Sequence, residues 1–243
     1  MDKSYIFRVF NRIVRQTRTE CRRATLSLLE KDPNANLLDC GCNHGAFTMM
    51  IAGTIGTSRI YGIEIMSERV DKARARGIEV HQGDVNRELP YEDESFDVVQ
   101  ANQVIEHLHN TDILVKEAYR VLKTGGYLVI STPNLASFHN ILNLLLGKQP
   151  YNANVSDEVN AGTWHVMDPA RKASLRLGLG PAHRRLFTKG ALEELLEYHG
   201  FKIEKSISCG FYPFPTRPAK VMSFIDSRHA ASIIVKARKL PQL

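Results

Sequence analysis

Short apolar runs alternate with segments of helical periodicity along most of the chain. Seven runs predict strands, over residues 36–40, 59–65, 78–83, 95–102, 127–132, 201–209 and 231–239. Between them, apolar residues recur every three or four positions and predict helices over 45–54, 67–76, 110–123, 136–147 and 189–200. Ser67 and Thr188 are the predicted N-caps of two helices, and Gly125-Gly126 is predicted to end a third.

The first helical pattern, over residues 4–30, is amphipathic. Apolar side chains from Ile6 to Leu28 share one face, while arginines crowd the opposite face. Asp32-Pro33-Asn34 then breaks the periodicity. We therefore expect an N-terminal amphipathic helix within residues 1–34, followed by one α/β domain over residues 35–243.

Strands that are apolar along their whole length are typical of a parallel sheet covered by helices on both faces. Right-handed connections then give an open, doubly wound α/β sheet. Ligands of such sheets bind beyond the carboxyl ends of the strands, where the strand order reverses. Residues that directly follow strands are therefore the first candidates for a functional site.

The regular alternation weakens after Pro133. The apolar helix over 136–147 is followed by a polar stretch, 148–186, that contains Trp164, His165 and His183. This stretch is long for a connection without structure, so residues 136–186 are predicted to form a lid or substrate insertion. The segment from Pro213 to Pro218 is predicted to be a proline-rich loop.

Composition and charge leave several partners open. The chain is 43% hydrophobic and 24% charged, which is typical of a globular protein, and it contains no apolar run long enough for a membrane span. The net charge is +6 with basic residues clustered near both ends, which fits either an anionic partner or a solvated basic face. The N-terminal segment does not resemble a signal peptide. The four cysteines, at positions 21, 40, 42 and 209, are interpreted as small apolar residues in a reducing compartment, so we expect a cytoplasmic protein.

The segment LLDCGCNHGAFT (37–48) carries the most distinctive pattern. Asp39 ends the first predicted strand, and Gly41 and Gly45 follow it before a helix begins. Small residues allow the backbone to turn tightly and to approach a ligand closely, and the helix presents its N-terminal amides. By itself the pattern fits a simple turn about as well as a binding loop.

This segment resembles motif I of class I S-adenosylmethionine-dependent methyltransferases, Asp-x-Gly-x-Gly-x-Gly, with Asn43 at the middle glycine. The segments LPYEDESFDVV, EHL, LKTGGYLVISTPN and HRRLFTKGALEELLEYHGF resemble later parts of the same family. The resemblance covers residues 35–135 and 183–209. It implies a Rossmann-like sheet of seven strands, mostly parallel with an antiparallel C-terminal strand, and S-adenosyl-L-methionine as the cofactor. Asn tolerates left-handed backbone geometry, so the loop is expected to keep its shape.

The resemblance places the cofactor on the loops that follow the first four strands. The first loop would surround its amino-acid part, the third would contact adenine, and the fourth would face its methionine end. An acid after the second strand can accept hydrogen bonds from ribose hydroxyls, although it also fits NAD or a helix N-terminus. The predicted cofactor-binding residues are Asp39, Gly41, Cys42, Asn43, Gly45, Glu64, Ile65, Asp84, Val85, Asn102 and Gln103.

His107, in the EHL segment, is the candidate general base, because histidine suits proton transfer near neutral pH. Packing against the cofactor is the alternative role, and His165 and His183 are the next candidates. In some quinone and small-RNA methyltransferases, the pattern Glu-x-x-Glu-His binds a divalent ion. Here Gln103 replaces the first carboxylate, which weakens a site for a hard cation, so no metal is expected.

The favoured function is methyl transfer to an oxygen, nitrogen or carbon of a small molecule, or of a lipid or glycan precursor. The basic N-terminal helix and the apolar segment NILNLLL could touch an anionic membrane surface, or could simply pack on the sheet. RNA methylation is a second hypothesis, although no RNA-binding module is recognised. An NAD-dependent oxidoreductase is a third, but the Gly-x-Gly-x-x-Gly pattern is missing. The oligomeric state is not determined by the sequence.

Overall fold

The computed structural model describes residues 3–156, 162 and 183–241. Seven strands and seven α-helices are found within these residues. The strands are β1 (Asn36–Cys40), β2 (Arg59–Glu64), β3 (Glu79–Gln82), β4 (Phe96–Asn102), β5 (Leu122–Pro133), β6 (Phe201–Cys209) and β7 (Ser232–Lys239). The helices are α1 (Lys3–Leu26), α2 (Ala46–Ile55), α3 (Ser67–Arg74), α4 (Thr111–Val121), α5 (Phe138–Leu145), α6 (Lys189–Tyr198) and α7 (Thr216–Ile225). Trp164, His165 and most of the predicted insertion lie outside the described residues.

The strands form a single sheet in the order β3-β2-β1-β4-β5-β7-β6. The first five strands pair in parallel, whereas β7 runs antiparallel to both of its neighbours, β5 and β6. The chain passes from β1 outward to β3 and then returns to place β4 on the other side of β1. The predicted doubly wound fold with an antiparallel C-terminal strand is confirmed. The reversal of strand order lies between β1 and β4.

Two hydrophobic cores lie on opposite faces of the sheet. Leu37 of β1 belongs to the core that contains Ile51 of α2 and residues of α3. Leu38, the next residue, belongs to the core that contains Leu192 of α6 and residues of α4. Consecutive strand residues point to opposite faces, which explains why Leu37 and Leu38 are both apolar and both buried. The predicted coverage of both faces by helices is therefore confirmed.

Helix α1 contacts α2, α7 and the strands β6 and β7. Ile13 and Thr17 are buried, while the arginines at positions 8, 12, 15, 18, 22 and 23 are exposed. The helix ends at Leu26 rather than at residue 30, because its last turn tightens, with Leu28 N donating to Thr25 O at 3.1 Å. The side chains of residues 3–7, 9 and 10 lie outside the described part. Neither α1 nor any other described helix has the length and apolar character that crossing a membrane requires.

Of three predictions about helix ends, two are wrong and one is confirmed. Gly125-Gly126 lies inside β5, since that strand begins at Leu122 directly after α4. Ser67 is the first residue of α3, and the N-cap position belongs to Met66. The predicted cap at Thr188 is confirmed, because Thr188 Oγ1 accepts a hydrogen bond from Ala191 N at 3.3 Å.

The last three residues of the predicted proline-rich loop, 216–218, belong to the first turn of helix α7. Pro215 occupies its N-cap, and Pro218 is the third residue of the helix. Proline is tolerated in the first turn because the N–H groups there have no partner within the helix. The prolines therefore lead into a helix, so the prediction of a loop is confirmed for residues 213–215 and wrong for residues 216–218.

The interpretation of all four cysteines as unpaired residues is also wrong. Cys21 of α1 and Cys209, the last residue of β6, form a disulfide across 188 positions of sequence. Cys40 and Cys42 are unpaired and buried. The pairing could not be recognised from spacing, because α1 meets the end of β6 only after the sheet has formed.

Candidate active site

The loops that follow β1, β2, β3 and β4 meet at one cavity of about 1160 Å³. It lies at the carboxyl ends of the parallel strands, where the order of the sheet reverses. Eleven of the twelve predicted site residues line it. They are Asp39, Gly41, Cys42, Asn43, Glu64, Ile65, Asp84, Val85, Asn102, Gln103 and His107.

The loop after β1 has the tight geometry that its small residues predict. Gly41 has a φ of 77°, and an added Cβ there would lie 2.6 Å from Cγ2 of Val104. Asn43 has a φ of 52°, in the left-handed region that its side chain tolerates. Asn43 N donates to Oε2 of Glu64 at 3.0 Å, so the first and second loops are joined by a hydrogen bond.

Gly45 is the predicted site residue that does not line the cavity. It forms the N-cap of α2 with a φ of 80°. An added Cβ would lie 2.5 Å from Cδ1 of Ile78 and 3.2 Å from Cα of Ala73. Gly45 therefore lets α2 pack closely against α3, and its direct contact with the cofactor is not supported by this position.

Glu64 is buried at the end of β2, and each of its carboxylate oxygens accepts a backbone N–H. Oε1 accepts from Met66 N and Oε2 from Asn43 N, both at 3.0 Å. Arg69 approaches Oε1 at 4.0 Å. These contacts fix the carboxylate at the edge of the cavity, and each oxygen has a further lone pair for a hydroxyl donor. The carboxylate also receives an amide at the start of α3, which explains why that helix begins without a serine cap.

Asp39 lies below the first loop, with its side chain buried. Its Oδ2 accepts a hydrogen bond from Thr48 Oγ1 at 2.6 Å. The pKa of Asp39 is raised to about 7, mainly by burial. The hydrogen bond from Thr48 lowers the pKa, and the nearby charge of Glu64 raises it. A bound cation would favour the ionised form of this carboxyl group.

The loop after β3 is ordered by its own aspartate. Oδ1 of Asp84 accepts hydrogen bonds from the backbone N and from Nδ2 of Asn86, both at 2.9 Å. Val85 is buried beside it and lines the cavity. Asn86 in turn accepts from His109 N at 2.9 Å, so this loop is held against the one that follows β4.

The loop after β4 turns sharply at Gln103, which has a φ of 57°. Gln103 N donates to Ser131 O at 2.9 Å, and Ser131 Oγ donates to Oδ1 of Asn102 at 2.8 Å. Sequence reasoning missed Ser131, because it lies inside an apolar strand and precedes no loop. Its contribution depends on the pairing of β4 with β5, in which Asn102 lies opposite Ser131.

A short 3-10 helix, Ile105–His107, places the side chains of Glu106 and His107 close to that of His183. The rings of His107 and His183 have centroids 5.0 Å apart. Ligand atoms of Glu106, His107 and His183 all lie within 4.8 Å of one another. The structure thus brings two of the three candidate histidines to one place, and this set could also offer ligands to a cation. The expectation that no metal binds stays a prediction.

Glu106 is buried behind these histidines, with only 2% of its surface exposed. Oε2 accepts from Thr132 Oγ1 at 3.2 Å, and burial raises the pKa of Glu106 to about 8. His183 Nδ1 donates to Asn152 O at 3.2 Å, which leaves Nε2 as the basic nitrogen of that ring.

The far side of the cavity is formed by residues that sequence reasoning did not assign to the site. They include His139 and Leu142 of α5, Tyr151, Tyr212, and Val14, Thr17 and Arg18 of α1. His139 Nδ1 is buried and has no hydrogen-bond partner among the described residues. Burial lowers the pKa of His139 to about 4, so its ring is neutral at neutral pH. The apolar pattern over 136–147 indicated α5, but nothing in the sequence indicated which of its side chains face the site.

The model of a family described as a methyltransferase domain matches residues 13–206 of the chain. The chain belongs to this methyltransferase family. The match includes α1 from Ile13 onward and the loops that follow β1, β2, β3 and β4. The prediction of a methyltransferase domain with S-adenosyl-L-methionine as its cofactor is confirmed at the level of the family, which favours it over an NAD-dependent oxidoreductase.

Two curated relatives show how far the similarity extends. The methyltransferase is 30% identical over 201 residues to a probable S-adenosylmethionine-dependent methyltransferase of Mycolicibacterium smegmatis, covering 82% of this chain and 62% of the relative. It is 26% identical over 187 residues to the mitochondrial ubiquinone biosynthesis O-methyltransferase of Rattus norvegicus, covering 73% of this chain and 47% of the relative. The chain therefore spans only about half to three fifths of the length of these relatives.

A solved structure has the same fold. The S-adenosylmethionine-dependent methyltransferase of Mesorhizobium loti superposes with a TM-score of 0.60 at 20% sequence identity, covering 89% of this chain and 96% of that one. At this identity the likeness supports the fold alone.

Proposed function

We propose that this methyltransferase transfers a methyl group from S-adenosyl-L-methionine to an oxygen, nitrogen or carbon of a small molecule, or of a lipid or glycan precursor. The main support is that one cavity is lined by residues from four different sequence motifs, namely Asp39, Glu64, Asp84 and His107. Four independent motifs that converge at the switch point of the sheet are consistent with one shared ligand.

The side chains fit the proposed cofactor. Glu64 offers oxygens for the hydroxyl groups of a ribose, and Asp84 offers an acceptor beside the buried Val85. The tight approach at Gly41 leaves the first loop without a side chain at that point. When bound, the cofactor supplies an electrophilic methyl group on a positively charged sulfur. In our proposal Asp39 and Glu64 hold and orient it through their fixed carboxylates.

The size and lining of the cavity favour an acceptor bound beside the cofactor. A pocket for one drug-sized ligand has about 300–1,000 Å³, and this cavity has about 1160 Å³. Its far side combines Leu142 with the rings of His139, Tyr151 and Tyr212. This lining favours an acceptor with an apolar or aromatic body, while His139 Nδ1 offers a polar contact. The name of the rat relative, an O-methyltransferase, is consistent with a hydroxyl acceptor.

His107 is the proposed base for an oxygen or nitrogen acceptor. It lines the cavity next to His183, and a histidine can accept a proton near neutral pH. Alignment of the acceptor is the larger contribution to such a displacement, up to about 7–11 kcal/mol, whereas a positioned base adds about 10²–10⁴-fold in rate.

A smaller cavity of about 390 Å³ adjoins the site and is lined by Arg184 and Arg185 as well as by His109 and His183. His109 and His183 also line the main cavity. We propose that Arg184 and Arg185 contact an acidic group of the acceptor at this second cavity.

Calorimetric titration with S-adenosylhomocysteine tests the cofactor site. We expect Glu64→Ala and Asp84→Ala each to weaken binding by about tenfold, the loss expected when about 1.4 kcal/mol of hydrogen bonding is removed. Glu79→Ala, at an exposed position of β3, is the matched control and should bind normally. Equal affinity in all four proteins, or tighter binding of NADH than of S-adenosylhomocysteine by the parent protein, would contradict the proposal.

Transfer of a labelled methyl group tests the base and the acceptor. With apolar phenols and lipid precursors as acceptors, His107→Ala should reduce turnover by about 10²–10⁴-fold while S-adenosylhomocysteine binds normally. Undiminished turnover in this variant would eliminate His107 as the base. Methylation of RNA, with none of the small acceptors, would instead support the RNA hypothesis.

A further inference from the structure

Helix α7 exposes a row of large apolar side chains. Phe224 is 91% exposed, Ile225 72% and Val221 58%. Phe224 and Ile225 follow Val221 by three and four positions, so the three side chains share one face of the helix. Exposed apolar residues scattered singly need no explanation, but a cluster that includes an almost fully exposed phenylalanine usually marks an interaction surface.

Basic residues surround this apolar row. Arg217 and Lys220 precede it on α7, and Arg228 follows the helix; all three are exposed. The ten residues of α7 include no acid. Glu20 of α1 lies 3.6 Å from Lys220 Nζ and offsets part of its charge, and Asp226 contacts His229 at 2.5 Å, so Arg217 and Arg228 keep the rim positive overall. The docking face, defined as Arg217, Lys220, Val221, Phe224, Ile225 and Arg228, is therefore apolar at its centre and positive at its rim.

The opposite side of α7 fixes the helix to the protein. Ala219 and Ser223 are buried, and Ala219 packs with Phe211 in a small separate core. The apolar row is consequently turned away from the interior, and it is not needed to hold α7 in place.

The segment that leads into α7 reaches the cavity. Tyr212 and Pro213, which line the cavity, precede α7 by only a few residues. Phe138 of α5 stacks on Phe211 with ring centroids 5.5 Å apart. Since Phe211 also packs against Ala219 of α7, it connects α5 with α7. Leu145 of α5 adds another strongly exposed apolar side chain in this part of the protein.

We propose that this face docks on the surface of an anionic lipid bilayer. Apolar side chains of an amphipathic helix enter the boundary between head groups and acyl chains, and each basic residue near an anionic membrane contributes about 1 kcal/mol. A second copy of the chain fits the face less well, because symmetric pairing would bring Arg217 and Lys220 against like charges. Docking does not depend on methyl transfer.

Co-sedimentation with vesicles tests the proposal on the full chain. The parent protein should bind vesicles of phosphatidylcholine and phosphatidylglycerol, and should bind phosphatidylcholine alone at least about tenfold more weakly. F224S/I225S and R217E/K220E should each lose most of the binding, and added salt should weaken it. The matched controls are Y198S, which removes an exposed aromatic residue of α6, and K116E/K202E, which reverses two exposed charges elsewhere. Both controls should bind as the parent does.

Titration with S-adenosylhomocysteine separates loss of docking from loss of folding, since every variant should retain normal affinity. Equal sedimentation of the parent protein and F224S/I225S, or equal binding to neutral and anionic vesicles, would overturn the proposal. A dimer that dissociates in F224S/I225S, without any vesicle binding by the parent, would also overturn it and assign the face to a second copy of the chain.

Discussion

Glu106 shows how burial at a single residue changes the chemistry of the site. Its carboxyl group is surrounded by protein and receives one hydrogen bond from Thr132, so ionisation is disfavoured and its pKa rises to about 8. At neutral pH the folded protein therefore holds a neutral acid beside His107 and His183. Glu106 itself therefore places no full negative charge next to the two imidazole rings.

The raised pKa of Glu106 has a measurable effect on stability. Its ordinary value of 4.5 applies in the unfolded chain, so between pH 4.5 and about 8 the folded state binds the proton more tightly. Stability therefore falls as the pH rises through this range, by about 1.4 kcal/mol per unit of pKa difference. Glu106→Gln cannot ionise, so the variant should gain stability relative to the parent as the pH increases. Denaturant unfolding across the range measures this, with Glu79→Gln as an exposed control; a constant difference would contradict the assignment.

Gly45, the N-cap of α2, and Gly53, inside that helix, have opposite roles. At Gly45 a side chain would have to accept a left-handed φ and approach Ile78, whereas nothing lies within 4 Å of a Cβ added at Gly53. Gly45→Ala should therefore lower the free energy of unfolding by about 1–2 kcal/mol, while Gly53→Ala should raise it by about 0.5–1 kcal/mol, since alanine favours a helix. Thermal or denaturant unfolding compares the two. The same sign of effect in both would show that backbone geometry at Gly45 is not decisive.

At the scale of elements, α1 is a wall of the cavity as well as a cover of the sheet. Val14, Thr17 and Arg18 line the cavity, and Cys21 attaches the helix to the end of β6 through the disulfide with Cys209. The mobility of this wall therefore depends on a covalent bond. Burial raises the pKa values of the Cys40 and Cys42 thiols above their usual range, so these two cysteines are poorly reactive.

Reduction of the disulfide should loosen the wall. Treatment with a dithiol, which is oxidised as it converts Cys21 and Cys209 to thiols, is expected to remove about 2–4 kcal/mol of stability and to weaken S-adenosylhomocysteine binding several-fold. Calorimetry with and without the dithiol measures the change. Cys21→Ser/Cys209→Ser should match the reduced protein and should not respond to the dithiol. A response of equal size in this double variant would assign the effect to another group.

At the scale of the whole molecule, the sheet separates two cores that share its strands. Ile51 lies in one core and Leu192 in the other. Each truncation to alanine should cost about 2–5 kcal/mol. Because the two residues belong to separate cores on opposite faces of the sheet, their effects should add within about 0.5 kcal/mol in Ile51→Ala/Leu192→Ala. Denaturant unfolding of the single and double variants measures the sum, and a clearly smaller sum would mean that the cores are coupled through the sheet.

The sequence alone determined most of the central architecture of this methyltransferase. Apolar runs located all seven strands, and the signal is clearest in the central strands, because helices cover both faces of the sheet there. Residues that follow strands, such as Asp39, Glu64 and Asp84, could be assigned to one site because the carboxyl ends of parallel strands share an edge. The position of Gln103 at the cavity could likewise be predicted from its place after a strand. The left-handed backbone of Asn43 could be anticipated from the residue type.

Only the tertiary structure decided the contacts between distant segments. The disulfide between Cys21 and Cys209, the packing of Gly45 against Ile78, and the pairing of His107 with His183 each join parts of the chain that no local pattern relates. Helix α7 was hidden because prolines mark both loops and helix starts, and the exposed side of Phe224 is defined only by what α7 packs against. Local periodicity records which residues prefer burial, whereas the arrangement of neighbours in space determines which of them actually meet.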